Sequence, residues 1–230
     1  ENGAIVGVAY GIEGDNIRID GGSLENDAGI IYAQNGMDMD LTDSVLLSND
    51  GTLYAGGPLS ITSELIQHES SQIQSDGRLD MHATRIENRD ADIRGRTVAL
   101  NTEAMLDNSG LLYASGDMAI NSGAQLQNSG TIMAGNDMTV SGGQITNNAG
   151  EIGGDTVVLN GNVVNTGNAS IVAEGTLTVS GGQIVNQASL MSGQSVVLSG
   201  GTVQNNNGVF RMENGAIVGV AYGIEGDNIR

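Results

Sequence analysis

The chain has 230 residues, 36 of them glycine and one proline, with no cysteine, no tryptophan, a single phenylalanine and a formal net charge of −19. That composition excludes a disulfide scaffold, a collagen-type triple helix and a globular core built on aromatic side chains. All eight basic residues are arginine and 27 acidic residues oppose them, so the clustered positive charge that draws nucleic acid and other polyanions is missing.

The chain opens on Glu1-Asn2-Gly3, without the basic region and apolar core of a signal peptide, and this sets no compartment. The glycine-spaced apolar run from Ala4 to Ile12 is far short of the roughly 20 residues that a membrane span requires, so no membrane insertion is expected. Residues 1–18, ENGAIVGVAYGIEGDNIR, recur unchanged at 213–230, a displacement of 212. Eighteen identical residues do not recur by chance. The 230 residues therefore read as a single segment holding one 212-residue unit and the first 18 residues of the next.

Between the two copies runs a shorter period of about 20 residues. An aliphatic residue followed two positions later by Asn marks Leu24, Leu47, Ile86, Leu106, Leu126, Ile145, Val163, Ile184 and Val203, with Ile66 in the remaining slot. After each start come a turn, an apolar residue, a small residue two on, a second turn, and two more apolar residues two apart. The clearest copies are Leu112, Ala114, Met118 and Ile120; Ile132, Ala134, Met138 and Val140; and Leu190, Ser192, Val196 and Leu198. This period-2 alternation in short runs predicts three short strands per coil, and no window carries the spacing of a long amphipathic helix.

A lone coil cannot bury its apolar positions, whereas stacked coils bring equivalent residues about 4.8 Å apart into continuous apolar columns. The expected fold is all-β, a parallel β-helix (β-solenoid) of about 20 residues per coil. Roughly five inward side chains per coil, each contributing about 1.5–3 kcal/mol of gross burial, drive the stacking before chain entropy is subtracted. About eleven coils per unit would extend it by roughly 50 Å.

Two positions after the starts stand Asn26, Asn49, Asn88, Asn108, Asn128, Asn147, Asn165, Asn186 and Asn205, with His68 as the exception. A turn asparagine tolerates left-handed backbone, and stacked amides can hydrogen-bond to the copies above and below, so these nine are expected to form a structural ladder rather than a ligand site. Gly-Gly pairs at 21–22, 142–143, 181–182 and 200–201 precede coil starts and are expected at corners.

The unit seen in LDNSGLLYASGDMAI (106–120) and LQNSGTIMAGNDMTV (126–140) resembles the haemagglutinin repeats of filamentous haemagglutinins and contact-dependent inhibition exoproteins, over about residues 24–208. The resemblance implies a right-handed β-helical stalk exported by two-partner secretion to the outside or surface of a Gram-negative cell. Such stalks mediate attachment, aggregation and biofilm formation, or carry a toxic domain towards a neighbour. A stalk or fibre segment of a surface adhesin is thus the first expectation, with adjacent copies of the repeat as partners and a surface receptor or glycan as a further one. No enzyme activity, catalytic residue or cofactor is expected.

The alternative is a carbohydrate-active β-helix, which needs outward carboxylates with a basic partner. The residues nearest to that are Asp38, Asp40, Asp80 and His82. By register Asp38, Ser60 and Asp80 share one outward column and Asp40, Thr62 and His82 the next, with about 10 Å between paired groups and no arginine in either column. That separation is too wide for one small metal ion, the Gly-Gly-x-Gly-x-Asp calcium pattern is absent, and His68 and His82 lack metal-ligand spacing, so no metal site is expected.

Arg78, Arg85, Arg89, Arg94 and Arg96 fall within two coils beside Asp80, Glu87, Asp90 and Asp92, which predicts surface ion pairs between coils. Asn168-Ala169-Ser170 is a glycosylation-type sequon of little weight. The period fails once. About 13 extra residues lie within 209–223, VFRMENGAIVGVAYG, which is expected to be an irregular insertion that joins units or carries a partner contact through Phe210 and Tyr222.

Overall fold

The computed structural model describes residues 11–213 and 216–230; the first ten residues of the duplicated segment, and residues 214–215 of the 209–223 insertion, lie outside the described part. The chain winds into a β-solenoid of about ten coils with about 20 residues each. Each coil has three faces. The first is a short strand, as in Thr52–Ala55, Gln72–Ser75, Leu111–Ala114 and Thr131–Ala134. The second and third are usually one longer strand bent at a corner, as in Leu59–Glu69, Arg78–Arg89 and Asp137–Asn148; in one coil they separate into Met118–Asn121 and Gln125–Asn128.

Apart from one hairpin, neighbouring strands pair parallel, each with its counterpart one coil away. The register lines up inward residues as columns. One runs Ile31, Leu53, Ile73, Ile93, Leu112, Ile132, Ile152, Ile171 and Met191. On the third face Leu24, Val45, Ile66, Ile86, Leu106, Leu126, Ile145, Val163, Ile184 and Val203 form another. From Ile31 to Val196 these columns merge into one core whose members are almost fully buried. Aliphatic side chains suit the column because each stacks on its like at the strand spacing.

A third column, at the corner that closes the first face, holds only small residues: Ala33, Ala55, Ser75, Gly95, Ala114, Ala134, Gly154 and Ala173. Space decides this. A Cβ on Gly95 would lie 2.9 Å from Val98 Cγ2 and 3.1 Å from Leu79 Cβ.

Two register expectations are corrected. The second coil starts at Val45, which pairs with Leu24 and Ile66, not at Leu47, which occupies the asparagine position beside Asn26 and His68. In the tenth coil the inward residue is Met191 rather than Leu190, so Ser192 faces outward too. The second shift comes from turn length. Leu112 and Ile132 follow their asparagines by four residues, whereas Ile93, Ile152 and Met191 follow by five, and the longer turns place Asp90, Ala149 and Ala188 in the left-handed region.

After the tenth coil, Val209–Glu213 pairs antiparallel with Ala216–Glu225. The chain then rejoins the stack: Gly223, Ile224 and Glu225 pair parallel with Leu190, Met191 and Ser192, and Asn228 and Ile229 with Ser195 and Val196.

Candidate functional site

The asparagine column is the most ordered polar feature of the interior. Asn88 Nδ2 donates to Asn108 Oδ1 at 2.7 Å, Asn108 to Asn128 at 2.7 Å, Asn128 to Asn147 at 2.8 Å, and Asn147 to Asn165, Asn165 to Asn186 and Asn186 to Asn205 at 2.9 Å. All donate in the same direction, so the amide dipoles align head to tail and strengthen one another. The same nitrogens cap the turns: Asn128 Nδ2 also reaches the carbonyls of Gly130 and Glu151, both at 3.1 Å. From Asn88 to Asn186 these amides are buried with their capacity used internally, while Asn205 is exposed at the last coil.

At the other end the column changes character. His68 Nδ1 lies 2.8 Å from Asn88 Oδ1, and since Asn88 Nδ2 is the group that donates onward, the imidazole is the donor. Its neighbour on the far side is Leu47, and its Nε2 has no partner. Burial pushes the His68 imidazole down to about 4, opposed by the hydrogen bond to Asn88 and the charge of Asp92. Asn26, beyond Leu47, bonds the carbonyls of Gly29 and Thr52 instead of another amide. Asn49 is corrected: it is exposed in a left-handed turn with φ 49°, and its amide donates to Asp27 at 2.6 Å. Those bonds from Asn49 and Ser48 hold the Asp27 carboxyl below its usual value.

The outward acidic residues stand in the expected columns, Asp38 with Ser60 and Asp80, Asp40 with Thr62 and His82. The expected absence of arginine is corrected, because Arg18 in the first coil pairs with Asp38 and Asp20 with Asp40. The period was legible only from Leu24 onward, which hid the first coil's strand. Arg18 Nη1 lies 2.5 Å from Asp38, and Arg18 Nε donates to Asp20 at 2.8 Å, which with the nearby carboxylate charges raises the guanidinium's pKa. Arg18, Asp38, Ser60 and Asp80 line an open groove of about 410 Å³.

That groove has the ingredients of a polysaccharide site, but both carboxylates are engaged, Asp38 by Arg18 and Asp80 by Arg78 at 2.5 Å. An ion pair satisfies a carboxylate without leaving it holding the proton that glycosidic cleavage needs. Polysaccharide-degradation assays on the chain and on its Asp38→Ala, Asp80→Ala and His82→Ala variants are expected to give the same background rate. A measurable rate that any of these variants loses would make the groove an active site.

In the arginine cluster the expected pairing between coils is also corrected. Arg78–Asp80, Arg85–Glu87, Arg89–Glu87 and Arg94–Asp92 each join alternate residues of one strand. Arg85 has Leu65 and Met105 as coil neighbours, so its acid lies along the strand. Among the described residues no group of three or more His, Cys, Asp or Glu is placed to hold a metal ion.

Sequence reading missed one outward column on the first face: Tyr32, Tyr54, Gln74, Arg94, Tyr113. The Tyr32 and Tyr54 rings stack at 5.3 Å, and the Arg94 guanidinium sits 5.9 Å from the Tyr113 ring centre. The Tyr54 hydroxyl donates to Asp76, and burial first, then that bond, pushes its pKa up to about 12. Each of these residues directly follows a core aliphatic, which was the available signal. In the hairpin, Phe210 pairs with Val220 through the backbone, its side chain lying outside the described part, and Tyr222 pairs with Val209 and is half-buried.

A parallel solenoid with an internal amide ladder and surface carboxylates tied into ion pairs is a structural rod in class. The haemagglutinin repeat family matches residues 6–130, 113–181 and 161–218, and the chain belongs to that family. It is a structural, non-enzymatic family of secreted surface adhesins. No curated protein and no solved structure matches the chain.

Proposed function

We propose that this chain is a stalk or fibre segment of a large secreted bacterial surface adhesin, acting in attachment to surfaces or cells, aggregation or biofilm formation. The observation that carries this is the unbroken core: the same columns run through the coils in one register, giving a rod without a hinge among the described residues. In a solenoid each coil contacts only its neighbours, so length is gained by adding coils without redesigning a core. Family membership supports export by two-partner secretion and an extracellular or cell-surface location. The partners are adjacent copies of the repeat in a continuous array, one 212-residue unit feeding the next, with a surface receptor or glycan beyond them. Phe210 and Tyr222, on the 209–223 insertion, are the proposed contact residues.

The test uses cells displaying the full protein. In-frame removal of one 212-residue unit is expected to shorten the fibre by roughly 48 Å, ten coils at the strand spacing, and to weaken attachment at equal surface amount. Excision of 209–222, which joins Gly208 to Gly223, is expected to preserve length while reducing attachment. A fibre whose length ignores the unit deletion would end the stalk reading.

A further inference from the structure

Charge is spread unevenly along the rod. On the second face, one outward column opens with Arg18, Asp38, Ser60 and Asp80 in the first four coils, and the next with Asp20, Asp40, Thr62 and His82. From the fifth coil onward both columns lose their charge. The first continues as Ala99, Ala119, Thr139, Val158, Thr178 and Val197, and the second as Asn101, Asn121, Ser141, Asn160, Ser180 and Ser199. Between Met118 and Gly208 the charged residues are Asp137, Glu151, Asp155 and Glu174 alone. Glu151 lies in a first-face strand, and Asp155 and Glu174 in the turns that follow such strands. Asp137, with Asp117 one coil earlier, stands at the rim of the second face, so the block between coils five and ten is neutral across its middle.

The block is also flat. Its central column holds only alanine, threonine and valine, which barely project from a sheet, whereas the first face carries Tyr113, Met133 and Arg94. Ala119 and Thr139 are exposed and the rest of that column is half-buried. In the flanking column the polar groups already serve one another: Ser180 Oγ donates to Asn160 Oδ1 at 2.8 Å, and Asn160 Nδ2 to Ser141 Oγ at 3.5 Å. Covering groups that are already hydrogen-bonded costs far less than covering free ones. Sheets with such surfaces pack face to face at about 10 Å.

We infer that the second face of coils five to ten is a lateral contact on which a second rod of this protein lies antiparallel, face to face. The contact joins separate rods side by side and is distinct from the stacking of one coil on the next; it rests on the stalk reading for its setting and gives aggregation a surface. Charge selects the occupant. Each chain carries −19, so two rods repel wherever acidic coils oppose, and the neutral block is where they do not. A strongly charged partner finds no counter-charge in these columns. A two-fold axis across the rods sets neutral coils on neutral coils and carries Asp38, Asp40 and Asp80 of each copy beyond the other's block, whereas parallel alignment opposes each of these acids to its own counterpart. Five coil spacings of about 4.8 Å and three outward positions per strand give a patch of roughly 24 Å by 20 Å, so the two rods together bury about 1,000 Å², the lower limit of a specific interface. One block therefore binds weakly, and an array of units gains strength by avidity.

The test uses the 230-residue chain as its own probe. Sedimentation equilibrium is expected to show a monomer–dimer equilibrium that stops at the dimer and tightens by about tenfold between ~0.05 M and ~0.5 M salt, as the acidic coils are screened. Thr139→Asp with Thr178→Asp should keep the β-sheet circular dichroism and abolish the dimer, while Ser60→Asp, on the same face in the third coil, should leave it in place. The Thr139→Arg, Thr178→Arg chain should likewise be monomeric alone, and mixing it with the Asp pair at low salt should restore a dimer. A wild-type chain still monomeric at about 1 mM in the higher salt would overturn the contact. So would a dimer that survives in the Asp pair, a mixture of the two folded variants that stays monomeric, or growth of the wild type past the dimer. Fibre length after deletion of a unit, which decides the stalk reading, is independent of all these results.

Discussion

Replacing Asn128 by alanine is expected to lower the stability of the solenoid by about 3 kcal/mol, read as a shift of the urea unfolding midpoint. The side chain is 2% exposed. Its Oδ1 accepts from Asn108, and its Nδ2 supplies Asn147 Oδ1, Gly130 O and Glu151 O. Alanine removes all of these together and leaves the buried Asn147 Oδ1 without a donor, at a cost of about 1–3 kcal/mol, in addition to the hydrogen bonds lost with Asn108, Gly130 and Glu151. Asn128→Asp is expected to be at least as harmful. A carboxylate can accept from Asn108 but cannot donate to Asn147, so two acceptors would face each other across the coil spacing. The position within the stack matters as much as the chemistry. Asn205→Ala, at the exposed end with a single amide bond to Asn186, should cost under about 1 kcal/mol. Because a solenoid is held by nearest-neighbour interfaces, the central substitution should also split the unfolding transition or lower its slope, as blocks on either side of the defect uncouple. Equal midpoints for the central and terminal variants would show that the ladder contributes little and that the turns are held by the backbone alone.

The strand period and the stacking were legible because the solenoid repeats the same local problem about ten times. An aliphatic residue, a small residue two on, and an asparagine before the turn recur often enough that chance agreement is excluded. Register within a coil was less legible. Leu47 and Asn49 satisfy the aliphatic-x-Asn pattern as well as any true start, and only pairing with Leu24 and Ile66 shows that Val45 fills the column. Leu190 and Met191 are both apolar and adjacent, and the choice between them depends on whether the preceding turn holds a left-handed residue, here Ala188. Alanine at a positive φ carries no sequence signal of the kind glycine gives. Surface pairing was the least legible. Whether an arginine reaches along its strand or across to the next coil depends on what flanks it: Arg85 sits between Leu65 and Met105, and Arg18 beside Asp38. Identical octapeptides at 11–18 and 223–230 were visible at once, but that they use opposite strand edges is a fact of the fold.

Acid is expected to weaken the fold through His68 in the window between pH 6.5 and pH 4. The imidazole is buried and neutral, donates from Nδ1 to Asn88, and keeps an unpartnered Nε2 beside the apolar end of the column at Leu47. Protonation would place a second N–H, and a charge, where nothing accepts it, which is why the folded value falls from 6.5 to about 4. The unfolded chain then takes up the proton first. The stability that depends on a neutral His68 is complete above pH 6.5, declines as the pH falls, and is lost by the time the pH has passed through 4. A displacement of this size corresponds to about 3 kcal/mol, with no further loss from this residue in stronger acid. His68→Asn isolates the effect. Its amide would donate to Asn88 in the ladder geometry and turn an oxygen towards Leu47, exchanging one unmet buried acceptor for another, so at pH 7 the two proteins should differ by no more than about 1 kcal/mol. At pH 4 the wild type should have lost about 3 kcal/mol more than the variant, since the two proteins differ in no other titratable group. Parallel pH dependence in the two proteins would mean that the folded imidazole accepts its proton as readily as the unfolded one, and that water reaches Nε2 at the end of the ladder.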